Sequence, residues 1–210
     1  TGHAVIEKNT EDNGNRKYIL VQLPEILSEE NRDQKVAADF CDSILKPKTI
    51  AELTKERLRR AGNKVREDNP EWKGDVGFRV FKLDISNIRP WEATAENLSE
   101  QIDAYVSPIL EGRSEEDLLT ELMLKRGIDL SVNIETRQFD GLTVSCVDGG
   151  KLFTCFGSQI PASSVEELTK GIIDWHKSSK AGKDTVCYFL DDAFENNVAK
   201  TNLCAILEQH

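Results

Sequence analysis

Lys17-Tyr18-Ile19-Leu20-Val21-Gln22-Leu23, closed by Pro24, is a nearly continuous apolar run of strand length. A strand with one face in water alternates apolar and polar residues. A run that does not alternate is covered on both faces, as in the parallel sheet of an α/β domain. Ahead of it, residues 1–9 read as a helix that opens on Thr1-Gly2-His3-Ala4, and Glu11-Asp12-Asn13-Gly14-Asn15 is turn chemistry. Helix, turn and doubly covered strand together predict an α/β fold. A helix N-terminus that begins with Thr1 and Gly2 suits a carboxylate and close approach of backbone to a ligand. The C-terminal end of the strand after it is where α/β sheets place ligand groups.

Further along, residues 28–45 are polar and acidic and read as a loop with a helical turn. Thr49-Ile-Ala-Glu52 is a capping box opening a helix whose apolar face is Ile50, Leu53, Leu58 and Ala61, with Gly62 expected to end or weaken it. Asn69-Pro70 and Lys73-Gly74-Asp75 mark a loop, and alternation from Gly77 to Asp84 marks a second strand. The character changes after Pro90-Trp91. Helices are expected over 94–110 and from Ser114 to Gly127. Strands follow at 128–134, 142–147 and 152–156, with Asp148-Gly149-Gly150 as a hairpin turn. A helix from Ser164 to near Trp175, a buried strand over 185–190 and a helix over 197–209 complete the chain. This order divides it near residue 92 into a first domain, 1–92, and a second, α+β domain, 93–210.

The chain has 210 residues, 30% of them charged, and a net charge of −10. No run of 18 apolar residues exists to span a membrane, and no signal-peptide pattern opens it, so it reads as cytoplasmic or as a piece of a longer cytoplasmic protein. The negative charge argues against nucleic acid as the partner of most of this surface. The exception is a basic cluster, Lys55, Arg57, Arg59, Arg60, Lys64 and Arg66, which reads either as a phosphate contact or as a solvated helix face balanced by Glu52 and Glu56. Cys41, Cys146, Cys155, Cys187 and Cys204 form no Cys-x-x-Cys, and the three histidines, at 3, 176 and 210, stand apart, so a zinc site is not indicated. Cys146 and Cys155 flank the hairpin turn out of register with each other and are not expected to be bridged. Asp191-Asp192 lacks a third carboxylate at ligand spacing, and Trp175-His176 lacks a partner nucleophile. Asp84 and Asn87, at a strand end, are candidates for lining a ligand cleft.

Several long stretches carry a family resemblance in consistent order: Thr1-Gly2-His3-Ala4-Val5; Arg16 to Glu25; Thr49 to Gly62; Phe78 to Trp91; and Asp184 to Phe194. They resemble the modification (Mod) subunits of type III restriction–modification systems, which are adenine-N6 DNA methyltransferases. Thr1-Gly2-His3-Ala4 resembles the end of that family's Gly-rich S-adenosylmethionine loop. The resemblance implies part of a Rossmann-like methyltransferase fold, S-adenosylmethionine as cofactor, and cofactor contacts at Thr1 and Gly2. The family's ribose-binding acid would stand at the end of the second strand. Here Gln22 occupies that place and Glu25 lies just beyond, and either side chain can accept a hydroxyl hydrogen bond. The family's Asp-Pro-Pro-Tyr-like catalytic motif, which receives a flipped adenine, is absent, so no catalytic residue is assigned and the chain is expected to be an inactive C-terminal portion. The implied partners are DNA, chiefly through a preceding region, a second modification subunit and the restriction (helicase–nuclease) subunit. The alternative is a non-catalytic assembly module, with residues 93–210 docking one of those subunits.

Overall fold

The computed structural model describes residues 1–92, 94–104, 107–179, 181–182 and 184–210. The chain forms two compact units, Thr1–Phe81 and Lys82–His210. The division falls ahead of residue 92 because the segment after Phe81 is tied into the second unit. The Asn87 side chain donates to the Asp117 carbonyl (3.0 Å), Arg89 N to Pro108 O (2.7 Å), and Arg113 pairs with Asp84 (2.7 Å).

The first unit is built from α1 (Gly2–Asp12), α2 (Arg32–Ser43) and α3 (Ile50–Asp68). Thr49 caps α3, its hydroxyl accepting from Glu52 N, but the expected capping box is half formed, for the Glu52 carboxylate turns to Lys55. Gly62 does not end the helix; it is buried beside Val76, whose Cβ lies 3.1 Å from where a Gly62 Cβ would stand, and α3 runs on to Asp68. The glycine thus serves close packing. The expected loop at 28–45 contains the full helix α2, capped by the Asn31 side chain on Asp33 N. Ile6, Leu58, Val65 and Val76 form one buried cluster, with Tyr18, Trp72 and Phe78 against it. Leu27, Ala38 and Cys41 form another, under Ile50 and Leu53.

Residues 17–23 are not a ladder strand, and neither are residues 77–84. Ile19 and Val21 are 92% and 91% exposed, while Tyr18 packs on the core and Leu20 reaches α1. Exposure therefore alternates with the period of two proper to extended chain. The segment is apolar, but a strand needs a backbone ladder along its edge, and among the described residues segment 17–23 pairs with no strand. The expectation of a strand buried on both faces is corrected for this chain.

The second unit holds α4 (Leu98–Ala104), α5 (Glu115–Lys125), β1 (Ile134–Phe139), β2 (Leu142–Val147), β3 (Leu152–Cys155), α6 (Val165–Ser179), β4 (Val186–Phe189) and α7 (Asn197–Glu208). The sheet order is β1-β2-β3-β4; the first two pairings are antiparallel and β3–β4 is parallel, with α6 as the crossover. The fold class is α/β, with a mixed four-stranded sheet. The first strand lies at 134–139 and not at 128–134. Asp140-Gly141 supplies the tight turn, both residues at positive φ (47° and 79°), as a two-residue hairpin requires. The helix expected over 94–110 is confined among the described residues to α4; Tyr105 and Val106 lie outside them, and Pro108 cannot continue a helix. The capping box at Ser114 and the stop at Gly127 (φ 67°) stand as read. Cys146 faces Phe153 across β2–β3, so it cannot meet Cys155, and all five cysteines are free.

The core of this unit lies between the sheet and α6 with α7, and Trp175 is its hub. A second cluster, Leu119, Met123, Val147 and Leu152, joins α5 to the sheet. Among the described residues no helix is long and apolar enough to cross a membrane.

Glu121 on α5 holds the entry to this unit, accepting from Ser86 Oγ and Asn87 N, both at 2.6 Å, and pairing with Lys125 at 2.7 Å. Burial alone would raise its carboxyl; the Lys125, Ser86 and Asn87 donors outweigh this and bring it to about 2. A carboxylate depressed in the folded state contributes stability above its unfolded value and loses it as pH falls through the folded one. Glu121→Gln is expected to cost about 2 kcal/mol at neutral pH and to flatten the decline of unfolding free energy between about pH 4.5 and 2. Urea unfolding of the second unit across that pH range measures both.

Candidate functional site

The side chains singled out in the sequence lie at the N-terminus of α1 and along the segment after it. Thr1 is the N-cap residue of α1 and makes no side-chain capping bond. The first backbone bond into the helix is Val5 N to Thr1 O (3.0 Å). The N–H groups of the turn before Val5 are thus unused by the helix and carry the positive end of its dipole.

Gly2 is buried. A Cβ there would stand 2.8 Å from Leu58 Cδ2, 3.2 Å from Leu20 Cδ1 and 3.3 Å from a Tyr18 ring carbon. The glycine lets the helix end approach both α3 and the extended segment, so Tyr18 and Leu20 cross directly over the opening of α1. Gln22 continues their face of the segment by the period of two. Gly2→Ala is expected to cost about 1–3 kcal/mol by overpacking, read as a lowered urea midpoint of the first unit; an unchanged midpoint would contradict this packing role.

Gln22 is exposed, and its amide donates to the Leu23 carbonyl at 3.1 Å, which leaves its side-chain oxygen as an acceptor. Glu25 is exposed in side chain, while its backbone carbonyl accepts from Ile50 N (3.2 Å) and so fixes the end of the segment against the start of α3. The isolated bridge Ile26–Thr49 and Leu27 N to Lys48 O (2.8 Å) reinforce that anchor. The arrangement offers N–H donors that the helix does not use at one end, suited to a carboxylate, and acceptors further along, suited to hydroxyls.

Tyr18, at the centre, has a buried hydroxyl with no hydrogen-bond partner among the described residues. Burial, and then the charge of Asp75, push its phenol upward. The sequence reading passed over Tyr18 because it stands at the start of an apolar run. Its position two residues from Leu20 and four from Gln22 was the available signal.

The other candidates resolve into structural contacts. Arg113 holds the Asp84 carboxyl below its usual range, and Asn87 is buried on α5, so both serve the second unit and not a ligand cleft. Asp191 pairs with Lys200, while the cap of α7 is Asn196. His176 Nε2 lies 3.3 Å from Gly182 O in the last turn of α6. Among the described residues no three His, Cys, Asp or Glu side chains group as metal ligands.

Two grooves went unforeseen. One, of about 340 Å³, opens between α3 and the start of α1 and is lined by His3, Phe40, Arg57, Arg60 and Lys64 among others. The second, of about 400 Å³, lies on another side of α3, with Arg59, Arg66 and Phe78 in its walls.

No family model and no solved structure matches the chain. It is similar to the Mod subunit of the type III restriction–modification enzyme StyLTI of Salmonella typhimurium strain LT2, with 26% identity over 178 aligned positions that take in 73% of this chain. The chain spans about a quarter, 26%, of the length of that curated relative. It is related to a type III Mod subunit.

Proposed function

We propose that this chain is a C-terminal part of a Mod subunit, a DNA methyltransferase that transfers a methyl group from S-adenosylmethionine to adenine N6. The carrying observation is the relationship to a type III Mod subunit across most of the chain. The unused N–H groups of α1, pressed by Gly2 against the segment that leads to Gln22 and Glu25, are consistent with it.

On this reading residues 1–81 are one side of a Rossmann-like cofactor domain, and residues 17–23 gain their strand neighbours from sequence that precedes them. The α1 N-terminus and Thr1 bind the amino-acid carboxylate of the donor, which is favoured there by the helix dipole. Gln22 or Glu25 accepts from the ribose hydroxyls. Tyr18 and Leu20 wall the site and keep water from its floor. The donor supplies a sulfonium-bound methyl group, and the residues of this chain hold it in place. The groups that receive the flipped adenine belong to the region outside this chain, so the 210 residues alone do not methylate DNA.

Residues 82–210 then serve assembly, with a second modification subunit or the restriction subunit as partner. Charge favours this division of labour. Residues 1–81 carry 15 Lys and Arg against 15 Asp and Glu, whereas residues 82–210 carry 12 against 22. A surface so acidic repels a polyanion, which points its contacts toward protein. The test is nucleoside analysis of duplex DNA incubated with labelled donor and the longer protein that contains this chain. N6-methyladenine is the expected product; absence of methyl transfer, or label on cytosine, would reject the assignment.

A further inference from the structure

The entire net charge of −10 resides in residues 82–210, and six of the fifteen Lys and Arg of the neutral first unit lie on α3. Arg57, Arg60 and Lys64 stand at i, i+3 and i+7 of α3 and form one exposed stripe two turns long. Arg59 and Arg66 flank it on the second groove. Only part of this charge is neutralised. Glu56 pairs with Arg59 (3.5 Å) and Arg60 (2.7 Å), whereas Arg57, Lys64 and Arg66 have no ion-pair partner among the described residues. Ion pairing along the helix stops at Glu56; Glu67 and Asp68, in its last turn, pair with none of these three side chains.

We infer that this face of α3 is a docking face for the phosphate backbone of duplex DNA. It rests on the proposed DNA-modifying role and assigns that role a contact within this chain. The stripe is about 10 Å long at 1.5 Å per residue. With one phosphate every 3.4 Å along each strand, it meets about three phosphates of one strand. Arginine's planar fork fits phosphate oxygens in pairs, and lysine adds a point charge. The stripe lines a groove that it shares with His3, Phe40 and Glu56. Single-stranded nucleic acid would need bare aromatic platforms. Here Arg60 lies over Phe40 (4.9 Å to the ring centroid) and Arg59 over Phe78 (6.0 Å). The face therefore reads the backbone and carries no base specificity of its own.

The test is fluorescence anisotropy of a labelled 30-base-pair duplex of arbitrary sequence with the 210-residue chain, at salt from 50 to 200 mM. Binding is expected in the non-specific range, with Kd of about 10⁻⁶ to 10⁻⁴ M. Arg57→Gln and Lys64→Gln should each reduce the slope of log affinity against log salt by about 0.9. Lys64→Arg should restore it, and Lys151→Gln with Lys200→Gln, in the second unit, should leave it unchanged. These side chains are exposed, and matched circular dichroism melts confirm that the variants fold. Slopes unmoved by Arg57→Gln and Lys64→Gln would overturn the proposal. So would displacement of the duplex by poly-glutamate at equal charge concentration, which would identify an acidic protein as the occupant. Methyl transfer by the longer protein is scored separately. Methylation with unmoved slopes would sink this face alone, and moved slopes without methylation would sink the enzymatic reading alone.

Discussion

Val21→Asp is expected to be almost silent in the 210-residue chain and ruinous in the longer Mod subunit of which the chain is proposed to be a part. In this chain Val21 is 91% exposed, and substitutions at such sites change stability by no more than about 0.5 kcal/mol. On the proposed reading residues 17–23 gain strand neighbours in the longer protein, and Val21 is then taken out of water. A carboxylate there loses its hydration without a partner and costs several kcal/mol, on the order of 3 or more. The same contrast should hold for Ile19, which points the same way. Paired urea titrations of the two proteins, each with and without the substitution, measure the difference. Equal small effects in both would show that the segment remains exposed and that no sheet is built on it.

Trp175→Ala is expected to remove about 3–5 kcal/mol from the second unit, a large share of the roughly 5–15 kcal/mol that holds a domain folded. Trp175 is 2% exposed. Its ring meets Phe153 edge-on at 5.5 Å and Phe139 at 6.3 Å, and Arg137 stands over it at 4.1 Å. Edge-to-face and cation–π geometry add to the area buried. Gly171, one turn earlier, has Phe139 so close to its backbone that no Cβ fits, which brings α6 down onto β1 and leaves no slack for the cavity to close. Hydrogen exchange should lose protection across β1–β4 and keep it in α1 and α3. Uniform loss in both units would show that the two do not fold independently.

Local signals were legible in the sequence wherever a few residues suffice to set the outcome. Thr49 and Ser114 named their helices because an N-cap needs only the next three residues. Asp148-Gly149-Gly150 named a turn, and the register it implies kept Cys146 from Cys155. Asp140-Gly141 was an equally strong signal and was passed over, which displaced the first strand by six residues. Gly62 misled because a helix glycine has two meanings, an end or a close approach, and only the position of Val76 decides between them. The segment 17–23 misled for a deeper reason. Its apolar residues record the surroundings in which the run is buried, and a strand exists only where another backbone offers hydrogen bonds. At the site, Gly2 could be nominated from the pattern, and Gln22 from the family resemblance. Their relation through Tyr18 and Leu20, and the grooves beside α3, depend on side chains far apart in sequence.

The opening of α1 and the end of the segment after it are proposed to hold the methyl donor. Equilibrium dialysis of labelled S-adenosylmethionine against the longer protein tests this most directly, with Gln22→Ala and Glu25→Ala compared with the unaltered chain. At least one of the two is expected to weaken binding tenfold or more, about 1.4 kcal/mol, without lowering the urea midpoint. Donor bound with unchanged affinity by both variants, and by the pair combined, would contradict the assignment.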